Sequence, residues 1–415
     1  MKKSISLLCV LLSVFFAFSC TAELPASAAY NYYKINVAEH TQEEIAAYIA
    51  EHNFDVYAYD EYDEDPSDSA PYKYGVLSDK TLNNALNIVN AIRYCAGLQE
   101  VQLDDSYATI SQAACVCNSA NGGLSHKPKR PEGMDDEFYN NALTGAGQSN
   151  LCMGYGSLSR GVVYAWTSDG DTRNRDVLGH RRWVLYPQMG VTYFGACDRY
   201  NSMYVWDGSN YTASETGIAW PAKNTPVELF DDRAPWCISF AAPYKPDGED
   251  NIPINISNTT VKVESLTEDK VWFFSENESD GDFYFDRGGY GLPCCVIFAP
   301  KDIIVTAGKK YRVTISSPIG DLTYTVDFFD HESVEKPLLG DVTGDKNITT
   351  ADALVVLRHV VGIKLLDNDM IVVADVNKNN RVNTADALLI QRYTLGIETH
   401  CDIGKPIEQA SACTQ

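Results

Sequence analysis

Asp341, Thr343, Asp345, Thr349 and Asp352 put oxygen donors at positions 1, 3, 5, 9 and 12 of a twelve-residue stretch, with the Asn347 carbonyl at position 7. Thirty-four residues on, Asp375, Asn377, Asn379, the Arg381 carbonyl, Asn383 and Asp386 repeat the pattern. A hard cation that takes six to eight oxygen ligands requires this spacing. Each stretch ends in Thr-Ala-Asp-Ala-Leu and runs into an amphipathic segment, Ala353 to Val361 and Ala387 to Leu395. Tandem recurrence is a far more specific signal than a single loop. The chemistry read here is the binding of two calcium ions. Position 6, where glycine is usual, holds Lys346 and Asn380; Asn tolerates a positive φ, and Lys does so at some cost. Thr343 stands where Asn or Asp is usual, which predicts weaker binding in the first loop.

A second set of residues lies upstream. His126 sits in Leu-Ser-His-Lys-Pro and His180 in Leu-Gly-His-Arg-Arg-Trp, with Gly147-Gln-Ser-Asn-Leu151 and Ala165-Trp-Thr-Ser-Asp169 between them. Two imidazoles and the Asp169 carboxylate can hold zinc with one position open, which is a catalytic arrangement. Ser149, His180 and Asp169 have the residue types of a nucleophilic triad, but Ser149 lacks a Gly-x-Ser-x-Gly elbow. Histidines hydrogen-bonded within a binding cleft satisfy the same sequence. Asp171 and Asp176 lie close enough to compete for the place of Asp169. Trp183 is expected in the core, and one of Arg181 and Arg182 is expected to pair with an acid.

The elements that position these residues follow from periodicity and punctuation. A short helix is expected at Gln42 to His52. The run Asp55 to Asp68 is strongly acidic with no basic residue and is expected to be a solvated linker. Ser78 can cap a helix whose apolar positions are Leu82, Ala85, Leu86, Val89, Ile92 and Ala96, and Gly97 ends it. Tyr107 to Asn118 and residues 160–168 also look helical. Trp183 to Tyr186 and Gly190 to Phe194 read as strands. Beyond Tyr211 come short alternating runs, such as Val261 to Val263, Val271 to Phe274, Cys295 to Phe298, Tyr311 to Ile315 and Tyr324 to Phe328, separated by Gly- and Asp-rich turns. That texture predicts a β-sandwich.

The two loops resemble a type I dockerin, the module that plugs proteins of cellulolytic bacteria into cohesins on a scaffoldin. Asp at position 12 fits that family. The resemblance implies cohesin contacts at Thr350, Ala351, Leu357 and Arg358, and equivalently at Thr384, Ala385, Gln391 and Arg392. Such near-identity implies that either face can dock. Residues 76–205 resemble a bacterial CAP domain (cysteine-rich secretory proteins, antigen 5, pathogenesis-related 1), an α-β-α sandwich with a cleft holding two His and two Glu. His126 and His180 match the two His; Ser149 and Asp169 stand at the two Glu. Ala219-Trp-Pro and the β-rich region resemble the sandwich that accompanies some of these domains.

The whole is a multidomain chain. The expected segments are a signal peptide at 1–28, a helix with an acidic linker at 29–75, and the CAP domain at 76–210. A β-sandwich at 211–330, a linker at 331–339, an all-α tandem EF-hand-like dockerin at 340–399 and a tail at 400–415 follow. Lys2 and Lys3, the apolar run Leu7 to Phe18 and Ala26-Ser-Ala28 compose the secretory signal, so a secreted, extracellular, cellulosome-associated protein is expected. Lipid anchoring through Cys20 is the lesser alternative, because Phe18 fits a lipobox poorly. No transmembrane segment is expected. The net charge of −23 argues against nucleic acid as a partner. Of twelve cysteines, Cys9 and Cys20 fall in the leader, and the remaining ten permit disulfides or reduced core thiols. The expected partners are a scaffoldin cohesin and a glycan, cell-wall or protein ligand for a non-catalytic CAP cleft. The alternative is a hydrolase in polysaccharide breakdown, or a metal-dependent protease using His126 and His180. The chain carries neither a His-Glu-x-x-His motif nor a convincing pair of carboxylates for glycoside hydrolysis.

Overall fold

The computed structural model describes residues 37, 40–210, 217–240, 255–318, 320–334 and 337–413. The expected signal peptide and Cys20 lie outside them. Helix α1 (Gln42–His52) opens on a capping box between Thr41 and Glu44 and ends at Asn53 in the left-handed region. Helix α2 (Asp79–Cys95) is capped by Ser78 and followed by Gly97 at φ 73°. Helices α3 (Ala108–Ala120) and α4 (Asp136–Gly147) cross closely at Gly145, where a Cβ would come within 1.9 Å of the Ile110 carbonyl oxygen. Short α5 (Leu158–Gly161) continues as a π-helical turn to Thr167, and α6 (Gly179–Val184) carries His180.

The strands of this helical half are β1 (Tyr62–Glu64), β2 (Val76–Leu77), β3 (Gln102–Leu103), β4 (Ser149–Met153), β5 (Val191–Thr192), β6 (Phe194–Cys197) and β7 (Tyr200–Tyr204). β4, β7 and β6 form an antiparallel sheet in that order, and helix α3 lies against β6 and β7.

Two expectations are corrected here. The acidic stretch is no solvated linker: β1 pairs with β2, Val56 is buried, and the Asp60 carboxylate accepts the Leu158 N–H at 2.9 Å. A composition average conceals the one acid that caps a helix start and the apolar residues that alternate with its neighbours. Trp183 to Tyr186 is not a strand but the end of α6 and the turn after it. A short apolar run does not distinguish strand from helix by periodicity.

Downstream lie β8 (Ile218–Trp220), β9 (Asn224–Pro226), β10 (Trp236–Phe240), β11 (Thr260–Ser265), β12 (Val271–Phe274), β13 (Gly281–Asp286), β14 (Cys294–Pro300), β15 (Lys310–Ser317) and β16 (Gly320–Phe329). They build a four-stranded sheet, β13-β14-β10-β8, and a five-stranded one, β12-β11-β15-β16-β9. All pairs are antiparallel except β16 with β9. Trp236 of the first sheet meets Tyr311 and Phe328 of the second, with ring centroids 5.5 and 5.8 Å apart, so the sheets face each other. Fully burying one such aromatic contributes roughly 2–3 kcal/mol. One apolar core runs without interruption from Ile45 through the helical half to Phe329.

A separate small core gathers the C-terminal region: Leu339, Val342, Ala353, Val356, Val376, Ala387, Ile390 and Ile403 among others. It is clasped by α7 (Thr350–Val360), α8 (Asn368–Ala374) and α9 (Thr384–Thr394). Chain segments at its two ends meet, with Leu339 N–H donating to the Lys405 carbonyl and Gly404 N–H to that of Leu339. Cys401 and Cys413 form a disulfide, whereas the other eight cysteines among the described residues are buried and not disulfide-bonded. Among the described residues no helix is long and apolar enough to cross a membrane.

Candidate functional sites: two acidic loops and two histidines

Each acidic loop is shaped by its own first and last carboxylates. Asp341 accepts the N–H groups of Asp345 (3.1 Å) and Lys346 (2.8 Å). Asp352 accepts the N–H of Thr343 at 2.8 Å and of Thr349 at 2.7 Å, and the Thr343 hydroxyl at 2.8 Å. The second loop repeats this with Asp375 accepting from Asn379 and Asn380, and Asp386 accepting from Asn377 and Asn383. Lys346 and Asn380 at position 6 take φ of 67° and 62°. Thr349 and Asn383 cap α7 and α9 through capping boxes closed by Asp352 and Asp386. All four end carboxylates are buried.

Such an arrangement asks for a cation. Burial, and then the nearby Asp375 charge, hold the Asp386 carboxyl above its ordinary value against the backbone N–H groups that lower it. The Asn377 side-chain carbonyl at position 3 is buried without a hydrogen-bond partner. A buried orphan acceptor is costly unless a ligand satisfies it. Among the described residues no three His, Cys, Asp or Glu side chains gather into a metal site by themselves. The loops' donor sets therefore depend on amide, hydroxyl and carbonyl oxygens beside the carboxylates, which suits calcium.

The helices after the loops present matching faces. Thr350, Ala351 and Arg358 on α7 are exposed and Leu357 half-buried; Thr384, Ala385, Gln391 and Arg392 on α9 are exposed. Sequence reasoning missed the apolar part of this surface. Leu354 and Leu388, Val361 and Leu395, and Ile363 and Ile397 are exposed large hydrophobics at equivalent positions of the two repeats. The signal was available: each pair is separated by the same thirty-four residues as the loops.

Of the two histidines, His180 donates from Nδ1 to Asp169 Oδ1 at 2.7 Å, and Arg181 N–H donates to the other carboxylate oxygen at 2.9 Å. Asp169 is fully buried and takes φ 45°. Burial alone would lower the His180 pKa, but the Asp169 charge and hydrogen bond, aided by Asp171, outweigh it and raise it. His126 Nδ1 donates to the Ala146 carbonyl at 2.6 Å, and its ring is exposed. With an acceptor opposite each Nδ1, both rings keep Nε2 as the basic nitrogen. Asn150 Nδ2 ties the His180 carbonyl to β4 at 2.9 Å.

Two expected groupings do not assemble. Ser149 is buried, and its hydroxyl has no hydrogen-bond partner, so the His180–Asp169 pair does not extend to it as a triad. Nor do His126, Asp169 and His180 form a metal-ligand cluster; both Asp169 oxygens are already engaged by His180 and Arg181.

Helix α6 is held from the sheet side by its two arginines. Arg181 is fully buried and donates to the carbonyls of Thr167 (2.6 Å), Ser168 (2.6 Å) and Pro235 (2.5 Å), and to Cys237 Sγ at 3.4 Å. Burial would raise the Cys237 thiol, but hydrogen bonding with Cys295 and the Arg181 charge lower it. Arg182 forms an ion pair with Asp286 of β13 and donates to the Leu292 carbonyl at 2.7 Å. Its guanidinium lies over the Tyr290 ring at 5.2 Å. The same ring packs on Gly179, where a Cβ would meet it at 3.1 Å.

A family model for the type I dockerin domain matches residues 339–395. A search of curated proteins returned no match for the chain. The C-terminal region is thus a type I dockerin, attached to a mixed helix and sheet body. Type I dockerins bind calcium, and the domain implies docking to cohesins in a cellulosome-type assembly.

Proposed function

We propose that this is a secreted protein carried on a scaffoldin, and that its body is a CAP-type domain joined to a β-sandwich. Calcium would be held in the first loop by Asp341, Thr343, Asp345, the Asn347 carbonyl, Thr349 and Asp352. In the second it would be held by Asp375, Asn377, Asn379, the Arg381 carbonyl, Asn383 and Asp386. The cation folds and stiffens each loop, and the chain's own side chains on α7 and α9 do the docking. The observation that carries this reading is the pair of congruent loops whose buried acids close the N-termini of two equally exposed helices. Cohesin binding measured with and without chelator, and in the double variant Asp352→Ala plus Asp386→Ala, tests it. Nanomolar binding that persists in chelator would refute it.

For the body we propose a recognition cleft around His126 and His180 that takes a glycan, cell-wall polymer or protein ligand. Ser149 stands where the CAP pattern has a Glu, and the carboxylate that remains is occupied by its histidine and by Arg181 N–H. One observation favours a hydrolase instead: the His180–Asp169 hydrogen bond orients the ring and leaves Nε2 as the basic nitrogen, the arrangement of a positioned general base. Two measurements on the calcium-loaded full chain separate these readings. Retention on insoluble cell-wall polysaccharide that is lost in His126→Ala plus His180→Ala supports recognition. Product release from a panel of glycan and peptide substrates, abolished by His180→Ala, would establish the hydrolase, and histidine-dependent zinc uptake would make it a metal-dependent one.

A further inference from the structure

The two calcium loops are near copies, but the chain treats the second one differently. At loop position 4 the first has Gly344 and the second has Lys378. The Lys378 ammonium reaches the C-terminal tail and donates to the carbonyls of Ile407 (3.0 Å) and Ala410. Ile403 and Ala410 of that tail are buried in the same small core as Val376, the residue at loop position 2. Cys413 Sγ comes to 3.7 Å from the Val376 carbonyl. The tail therefore bears on positions 2 and 4, the residues either side of Asn377, whose side-chain carbonyl is the buried orphan acceptor. Lys378 itself holds φ 53°, a conformation a lysine seldom adopts without support from its surroundings.

The tail is held closed by the Cys401–Cys413 disulfide, with Ser411 N–H on Asp402 (2.9 Å) inside the ring it forms. Both of its cysteines are half-buried, and the other eight cysteines among the described residues are not disulfide-bonded. No other disulfide lies among the described residues, so this is the bond a small soluble dithiol attacks.

We propose that the disulfide-closed tail is a redox latch on the second calcium loop. Closed, it holds Val376 to Lys378 in the cation-binding form. A dithiol opens it by thiol–disulfide exchange: the Cys401–Cys413 bond breaks, the dithiol closes to its own disulfide, and its two protons end on the cysteine sulfurs. The opened tail leaves Lys378, and the second loop loses calcium affinity while the first keeps its own. The latch leaves α7 and α9 exposed, so it acts through calcium and not by covering the docking faces.

The proposal rests on the loop assignment made above, and the test separates the two. Calcium is titrated into the full chain calorimetrically, with and without dithiothreitol, in Asp352→Ala (second loop alone) and Asp386→Ala (first loop alone). Reduction should weaken calcium binding at least about tenfold in Asp352→Ala, a change of 1.4 kcal/mol, and leave Asp386→Ala unchanged. Cys401→Ser plus Cys413→Ser, placed in the Asp352→Ala chain, should reproduce the weak state and ignore dithiothreitol, and reoxidation of the unaltered pair should restore affinity. Second-loop binding that is indifferent to reduction, or an equal loss in both loops, would overturn the latch. If the unaltered oxidised chain takes up no calcium at all, the loop assignment falls, and the latch with it.

Discussion

Replacing Arg182 with Met should destabilise the whole body by about 3–5 kcal/mol, the usual cost of removing one partner from a buried ion pair. The magnitude follows from what the guanidinium touches. It is 2% exposed and donates to Asp286, to the Leu292 carbonyl at 2.7 Å and to the Val177 carbonyl at 3.1 Å. Bonds to a charged group contribute roughly 1.5–3 kcal/mol each, offset by the desolvation of the guanidinium itself. Met keeps the aliphatic stem, so the loss reports the polar contacts and not a cavity. The Asp286 side chain retains 17% exposure and can rehydrate, which places the expected value toward the lower end of the range.

All six tryptophans precede residue 273, so their fluorescence reports the body and is silent on the dockerin. Urea unfolding of the calcium-loaded full chain should give one fluorescence transition, because a single core joins the helices to both sheets. Arg182→Met should move that transition as a unit and leave the dockerin's calcium-dependent unfolding where it was. A double-mutant cycle with Asp286→Ala should return a coupling of about 2 kcal/mol or more. Two separate fluorescence transitions would refute the shared core, and a loss under about 1 kcal/mol, the scale of a surface pair, would refute the bridge.

Gly145→Ala should cost about 1–3 kcal/mol, because the new methyl meets the Ile110 backbone carbonyl and forces α3 and α4 apart; an unchanged melting point would reject the close crossing. Desolvation lifts Asp60 to about 6, against the lowering effect of the Leu158 N–H and the Asn201 amide, from 3.8 when free. The folded state then binds the extra proton between these values, so the body should gain stability as pH falls from above 6 toward 4. Asp60→Asn should flatten that part of the profile, and identical profiles for the two chains would count against a desolvated carboxyl. Changing Thr350, Ala351, Leu357 and Arg358 together should leave most cohesin affinity, since α9 offers an equivalent face; complete loss in a binding assay would show that the faces are not interchangeable.

What was legible in the sequence divides by the range over which the chemistry is assembled. Asp341 to Asp352 is self-contained: its ligands are near neighbours, so spacing alone fixes which oxygens can converge, and even the positive φ at Lys346 and Asn380 follows from position 6. His180 and Asp169 are eleven residues apart across one turn, close enough for their pairing to be guessed. Arg182 and Asp286 are 104 apart, and no local pattern distinguishes that acid from its neighbours. The missed strands have a similar cause. β8 and β10 are buried on both faces, lack alternation and are only three and five residues long.

The acidic stretch shows why averages over a segment mislead at the level of a site. Seven of the fourteen residues from Asp55 to Asp68 are acidic, and a random chain of that composition should stay solvated. Its placement is decided instead by a few residues: Val56 buried in the core, Tyr57 hydrogen-bonded to the Tyr164 hydroxyl at 3.1 Å, and Asp60 on the N–H of Leu158. That N–H begins the short helix running through the π-turn to Ser168 and Asp169. The carboxylate that orients His180 thus stands at the far end of an element started by a side chain from the supposed linker, and neither segment alone carries that information.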